Sequence, residues 1–142
     1  MPTTRIDFLT QVKNVPPFGT EMNPAHTFHW IAVAGNNAGV VKSAAGTVYG
    51  WTVYNNSDKI DSSHVGYPIY VKLYDKNASP DPASDTPLRT IGVQAGTHVS
   101  GPDYDGGLSF GLGIGMVIVR GIADDNNTAV AAGDCVVDIS YI

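Results

Sequence analysis

Pro68-Ile69-Tyr70-Val71-Lys72-Leu73-Tyr74-Asp75 is the stretch on which the fold turns. Ile69, Val71 and Leu73 alternate with Tyr70, Lys72 and Tyr74, and a period of two belongs to a strand, whose successive side chains point to opposite faces. The spacing predicts the aliphatic set inward and Tyr70, Lys72 and Tyr74 outward on an amphipathic face. Downstream, residues 77–87 hold Pro80, Pro82 and Pro87 among Ser, Asp and Ala, too much proline for a sheet interior, and read as a surface loop.

The same period recurs on both sides. Residues 47–55 place Tyr49, Trp51 and Val53 on one face, with Val48, Gly50, Thr52 and Tyr54 on the other, before Asn55-Asn56-Ser57-Asp58 breaks the run. Residues 88–93, 116–123 and 134–142 read as further strands, and in the last of them Cys135, Val137, Ile139 and Tyr141 share a face. Leu108, Phe110, Leu112 and Ile114 alternate with Gly or Ser, so that glycines line one face of one strand, a device for close packing, including subunit packing. Residues 27–34 and 39–43 are expected to pair as a hairpin through Gly35-Asn36-Asn37.

Seven or eight strands without a helical stripe predict an all-β, two-layer β-sandwich over residues 27–142, with a jelly roll the favoured topology and an immunoglobulin-like Greek key the second. Residues 1–26 differ. Asp7 and Phe8 fit a short strand, but Val15-Pro16-Pro17-Phe18-Gly19 and Asn23-Pro24 keep this N-terminal arm extended, able to lie on a neighbouring subunit or to hug its own domain.

Composition narrows the function. The 142 residues fit one domain, and only 15% are charged against about 25% in ordinary domains. Eight basic and thirteen acidic residues give a net charge of −5 with no basic cluster, which argues against nucleic acid as a partner. The lone Cys135 has no partner for an internal bridge and sits in an apolar run, as a buried, inert thiol would. No stretch reaches 18 apolar residues, and Met1 to Arg5 lack the basic and apolar regions of a secretory signal, so synthesis in a cytoplasm and no membrane partner are expected.

No constellation proposes an enzyme. His26 and His29 stand three apart, which on an extended chain puts them on opposite faces, and neither His64 nor His98 supplies a second pair for zinc. The chain has no Gly-x-Ser-x-Gly elbow, and Glu21 is its one glutamate. Gly111-Leu112-Gly113-Ile114-Gly115 lacks the spacing and the following helix of a dinucleotide site. Asp103-Tyr104-Asp105-Gly106-Gly107 opens like a calcium loop, and Asp124-Asp125-Asn126-Asn127 would have to complete it; solvated turns explain both. The expectation is no catalytic residue, no metal and no cofactor. Aromatic residues are the better candidates. Tyr49 and Trp51 are assigned to the core, while Tyr54, Tyr70 and Tyr74, with Phe8 and Phe18 of the arm, are the candidate interface residues.

Four segments carry a resemblance: Gly46-Thr47-Val48-Tyr49-Gly50-Trp51-Thr52-Val53-Tyr54-Asn55, Tyr70-Val71-Lys72-Leu73-Tyr74-Asp75-Lys76, Asp85-Thr86-Pro87-Leu88-Arg89-Thr90-Ile91 and Ala132-Gly133-Asp134-Cys135-Val136-Val137-Asp138-Ile139. Over residues 39–142 the chain resembles small structural proteins of bacteriophages and prophages. The resemblance implies a virion component, a capsid decoration (cement) protein of jelly-roll type on the capsid surface, a homotrimer bound to the major capsid protein. A receptor- or carbohydrate-binding module of a tail fibre or baseplate, using Tyr70, Tyr74 and the Asp103 and Asp124 loops, is the alternative.

Overall fold

The computed structural model describes residues 26–58, 65–102 and 106–142. Within them the chain forms nine strands and no helix: β1 (His26–Ile31), β2 (Gly39–Lys42), β3 (Gly46–Asn55), β4 (Ile69–Asp75), β5 (Arg89–Val93), β6 (His98–Gly101), β7 (Leu108–Phe110), β8 (Ile114–Val119) and β9 (Cys135–Tyr141). One antiparallel sheet has the order β1-β9-β3-β6, with β7 also on β3, and the other has the order β2-β8-β4-β5. β6 and β7 lie end to end on one edge of β3: Trp51 pairs with Gly101 and Val48 with Leu108, and neither strand pairs with Tyr49 or Gly50. β4 and β5 form a hairpin within one sheet, whereas β1–β2, β2–β3, β3–β4, β5–β6, β7–β8 and β8–β9 each cross from one sheet to the other.

The core is where the two inner faces meet. Val48, Trp51, Val53, Val137 and Ile139 from the first sheet pack with Ile69, Val71, Leu73, Ile91, Met116 and Ile118 from the second, all buried. Each such side chain contributes about 1.5–3 kcal/mol by leaving water. The inward set predicted for β4 and the shared face of β9 are both as the alternation required, with Cys135 fully buried.

Four expectations are corrected. β1 and β2 form no hairpin: β1 pairs with β9 and β2 with β8. Asn37 turns the chain between the sheets with φ 52°, its Oδ1 accepting from Val33 N and Trp30 Nε1 and its Nδ2 donating to Val33 O and Gly35 O. In β3 the register against β9 shifts between Val48 and Gly50, a bulge that reverses the phase: Val48 is fully buried and Tyr49 only half-buried. Residues 108–114 are not one strand, because the chain leaves the first sheet after Phe110 and enters the second at Ile114. The predicted outer face of β4 is covered, with Lys72 and Tyr74 buried beside Val117, Val119 and Ala38. β6 is a further strand, beyond those the alternation predicts.

The glycines at the crossover serve packing inside this chain and not between subunits. A Cβ on Gly113 would lie 2.7 Å from Asn77 Cα and 2.8 Å from Lys42 O, and one on Gly115 would lie 2.7 Å from Pro80 Cγ. The carboxylate of Asp75 accepts from the Leu112 N–H at 2.7 Å, which pulls its pKa below the usual carboxylate value and ties the crossover to β4. Gly113→Ala is therefore expected to destabilise the fold by about 1–3 kcal/mol, the usual cost of forcing backbone apart. Gly39→Ala, whose new Cβ would meet nothing closer than Asn37 O at 3.9 Å, is expected to cost nothing measurable. Equal urea midpoints for the two variants would show that the crossover is not tightly packed.

Candidate functional site

Three surfaces collect the chemistry. The first is a hollow of about 570 Å³ on the outer side of the second sheet, lined by Tyr67, Tyr70, Gly92 and Gln94 among others. Tyr70 lies across Gly92, where a Cβ would sit 3.0 Å from its Cε1, so the absence of a side chain at Gly92 lets the ring settle on the sheet. Tyr67 is fixed from three sides. Its hydroxyl donates to Asp134 Oδ2 at 2.5 Å and accepts from Ala131 N–H at 2.9 Å, while the Arg120 guanidinium stands 3.7 Å from its ring centroid. Partial burial raises its pKa, and the Asp134 carboxylate adds to the shift, so Tyr67 is a protonated donor and not a base.

Below the hollow lies a buried polar hub. Asn55 Nδ2 donates to Tyr67 O at 2.8 Å and Val93 O at 2.9 Å, and its Oδ1 accepts from Ser57 N–H at 3.0 Å. The Ser57 hydroxyl donates to Tyr67 O and accepts from Tyr67 N–H. The end of β3 is thereby fastened to the segment that leads into β4 and to the end of β5, and the Tyr67 backbone is held by the side chains of Asn55 and Ser57.

The second surface is β1 with the groove beside it. β1 is an edge strand, exposed over most of its length, with register to β9 unbroken from His26–Tyr141 to Ile31–Val136. Phe28 and Trp30 stack with ring centroids 6.1 Å apart and planes 8° from parallel. Trp30, Ile31 and Val33 keep 36%, 56% and 55% of their surface exposed. Phe28, Trp30, Val33, Ala38, Val40 and Met116 border a groove of about 320 Å³ between the β1 edge of one sheet and the β2 side of the other. At the opposite mouth of the sandwich, Arg89 of β5 stands 5.7 Å from the Trp51 ring centroid.

The third is the acidic turn Asp124-Asp125, both exposed. It faces Lys72, whose ammonium donates to Ala123 O. Burial pulls the Lys72 pKa down while the two carboxylates push it up, so the turn compensates a buried lysine. Among the described residues no group of three His, Cys, Asp or Glu is placed to hold a metal ion. Asp103 and Asp105 lie outside the described residues, as do His64, Phe8 and Phe18.

The remaining candidates separate. Tyr54 is exposed and sits 5.5 Å from the His98 ring, as an outward residue should. Tyr70 is half-buried at the hollow. Tyr74 is corrected from an interface residue to a buried one: 1% of its surface is exposed, and its hydroxyl has no hydrogen-bond partner among the described residues. His26 and His29 stand on β1, His26 near the Tyr141 ring and His29 bonded to Asp138 across to β9. The Cys135 thiol is pushed up to about 12 by burial, which keeps it from forming the reactive thiolate. Sequence reasoning passed over β1 as a surface because its apolar residues were assigned to a hairpin; the absence of charge, proline and glycine from residues 26–31 was the signal available.

No protein-family model and no curated protein sequence matches the chain. Among the described residues no helix is long and apolar enough to cross a membrane.

Proposed function

We propose that the chain is a non-enzymatic virion structural protein, a capsid decoration (cement) protein that binds the major capsid protein and stabilises a phage head as a homo-oligomer, expected to be a trimer. The observation that carries this reading is the β1 edge: a continuous strand without lysine, arginine, aspartate or glutamate, with exposed Trp30 and Ile31 beside an apolar groove. Long apolar edges left open invite another chain, and a protein whose work is adhesion has use for one. The strand order also supports the reading. We read β1-β9-β3-β6 over β2-β8-β4-β5, with β6 and β7 taken as one interrupted strand, as an eight-stranded jelly roll in preference to the ABED and CFG sheets of an immunoglobulin domain, and the two-sheet strand order supports that reading. The protein is then made in the host cytoplasm and resides on the outer capsid surface.

Undecorated shells mixed with the chain test this. Full-length protein is expected to saturate the shells and raise their disruption temperature, and deletion of residues 1–26 is expected to weaken attachment about tenfold or more, equivalent to at least about 1.4 kcal/mol. Unchanged attachment of the deletion would remove the arm from the account, and no binding of the full-length chain would defeat the reading.

The hollow at Tyr67 and Tyr70 favours one second reading, a carbohydrate-binding module of a tail fibre or baseplate, because a tyrosine lying flat beside Gln94 offers a sugar both a stacking face and a hydrogen-bonding amide. Binding to a glycan array that is lost in Tyr70→Ala would establish it in place of the first.

A further inference from the structure

Among the described residues four sheet edges have no further strand beside them, and three carry a device that discourages one. β2 has four residues and a register break between Val40 and Lys42. β5 begins with Arg89 and contains Gly92. The β6–β7 edge is interrupted by residues 102–107, and Pro102 there has no N–H to donate. β1 has none of these. Its backbone is also aligned for pairing. Ala32 N donates to Cys135 O at 2.9 Å, so by alternation His26, Phe28 and Trp30 face β9, while Thr27, His29 and Ile31 turn their N–H and C=O groups to the free side.

A strand added there would place alternate side chains over the groove of about 320 Å³ bordered by Phe28, Trp30, Val40 and Met116. It would cover the mouth of the sandwich between β1 and β2, whose groove is larger than the hollow of about 210 Å³ beside Trp51 and Arg89 at the other mouth. The chain supplies a segment of that pattern. In Arg5-Ile6-Asp7-Phe8-Leu9-Thr10-Gln11-Val12, Ile6, Phe8, Thr10 and Val12 share one face, and Arg5, Asp7 and Gln11, with Leu9 as the one apolar member, share the other. Between Val12 and His26 stand thirteen residues with Pro16, Pro17 and Pro24 among them. Such a connector favours extended conformations and can reach up to roughly 40 Å at 3.3 Å per residue, far enough for the segment to meet a neighbouring copy.

We propose that Arg5–Val12 of a second copy of this chain adds as a strand to the free edge of β1 and that its Phe8 fills the groove between β1 and β2. The inference rests on the homo-oligomer reading above and names the contact that makes the oligomer. It accounts for the uncharged edge, the open groove and the candidate role of Phe8 by one interaction, β-strand addition, in which main-chain bonds give affinity and the groove gives register.

The test uses the purified full-length chain without shells, so its outcome is independent of capsid binding. Asp7→Cys and His29→Cys are introduced together; both belong to the faces turned away from the groove, so Phe8 and the stacked Phe28 and Trp30 are kept. A short bis-maleimide, tolerant of one step of register, is expected to link chains into covalent multimers on denaturing gels, since the remaining Cys135 is fully buried. Adding Ile31→Pro, which removes an N–H from the free edge and none from the β9 side, is expected to reduce linkage to background with the β-sheet circular dichroism unchanged. A link found only within single chains, no link at all, or linkage indifferent to Ile31→Pro with the sheet spectrum intact would each overturn the proposal. Should Ile31→Pro lose the sheet spectrum, deletion of residues 1–12 in the His29→Cys chain takes its place: linkage between the deleted chain and the Asp7→Cys chain supports the proposal, and linkage among deleted chains alone overturns it.

Discussion

Asn55→Ala is expected to lower the unfolding free energy by about 2–4 kcal/mol, since a buried polar group left without its partner costs about 1–3 kcal/mol and this change strands two. Val93 O loses the Asn55 donor and Ser57 N–H loses its acceptor, while Tyr67 O loses one of two donors and keeps the Ser57 hydroxyl. Asn55 and Ser57 are both buried, so water reaches the stranded groups only by loosening the site. The hub joins the ends of β3 and β5 to the entry of β4, so the hollow at Tyr67 and Tyr70 should open along with it. Urea unfolding followed by tryptophan fluorescence measures the loss. A cost below about 1 kcal/mol, the net worth of a single ordinary hydrogen bond, would mean that the three contacts do not act as a buried network.

Alkaline pH should unfold the protein through groups that cannot ionise in place. Burial raises the Cys135 thiol from 9.0 to about 12 and the Tyr74 hydroxyl from 10.0 to about 12. Both pKa values are higher folded than unfolded, so above the unfolded value the unfolded chain releases a proton that the native chain keeps. Stability is thus fully present below about pH 9 and is lost as pH climbs from 9 toward 12, Cys135 acting from the lower end and Tyr74 from about 10 upward. At 1.36 kcal/mol per unit, the thiol alone removes on the order of 4 kcal/mol across the whole interval. Lys72, with its pKa lowered by burial, works in the opposite direction, because above its folded value the native state is relieved of a buried charge. Comparison with Cys135→Ala isolates the thiol, since both proteins carry Lys72 and Tyr74. The variant starts less stable for want of the buried sulfur, yet its unfolding free energy should fall less steeply between pH 9 and 10. Equal slopes would show that Cys135 is not held as the neutral thiol.

Much of this architecture can be read from side-chain alternation. Ile69, Val71 and Leu73 in β4, and Cys135, Val137 and Ile139 in β9, face the core as their period of two requires. The misreadings have local causes. The bulge between Val48 and Gly50 inserts one residue into a run that looks regular, so Tyr49 and Val48 exchange faces. Lys72 and Tyr74 look solvent-facing because polar tips suggest water, but the proline-rich loop and the Asp124 turn cover that face: Pro80 and Pro82 are buried, and Lys72 donates to Ala123 O. Pairing is less legible than alternation. Residues 27–34 and 39–43 look like neighbours joined by Gly35-Asn36-Asn37, yet the same Asn37, through its bonds to Val33 and Trp30, sends the chain into the opposite sheet. Asn55, central to the hollow's support, looks like a strand-ending turn residue, and only the contacts it makes with Tyr67 and Val93 reveal its structural weight.

The proposed contacts also agree in charge. Neither β1 nor the groove beside it presents a lysine, arginine, aspartate or glutamate, so binding there depends on apolar area and main-chain bonds and should tolerate salt. A net charge of −5 would act instead to keep free copies of the proposed oligomer apart in solution.

Electron microscopy of virus-like particles purified from cultures of the organism that carries the gene for this chain, with the protein carrying a C-terminal tag, tests the proposed capsid role most directly. The account predicts tagged density on the outer face of the head, seated where capsid subunits meet and repeated by the shell's symmetry. Tagged density on the tail fibre or baseplate, or particles without the protein, would contradict it.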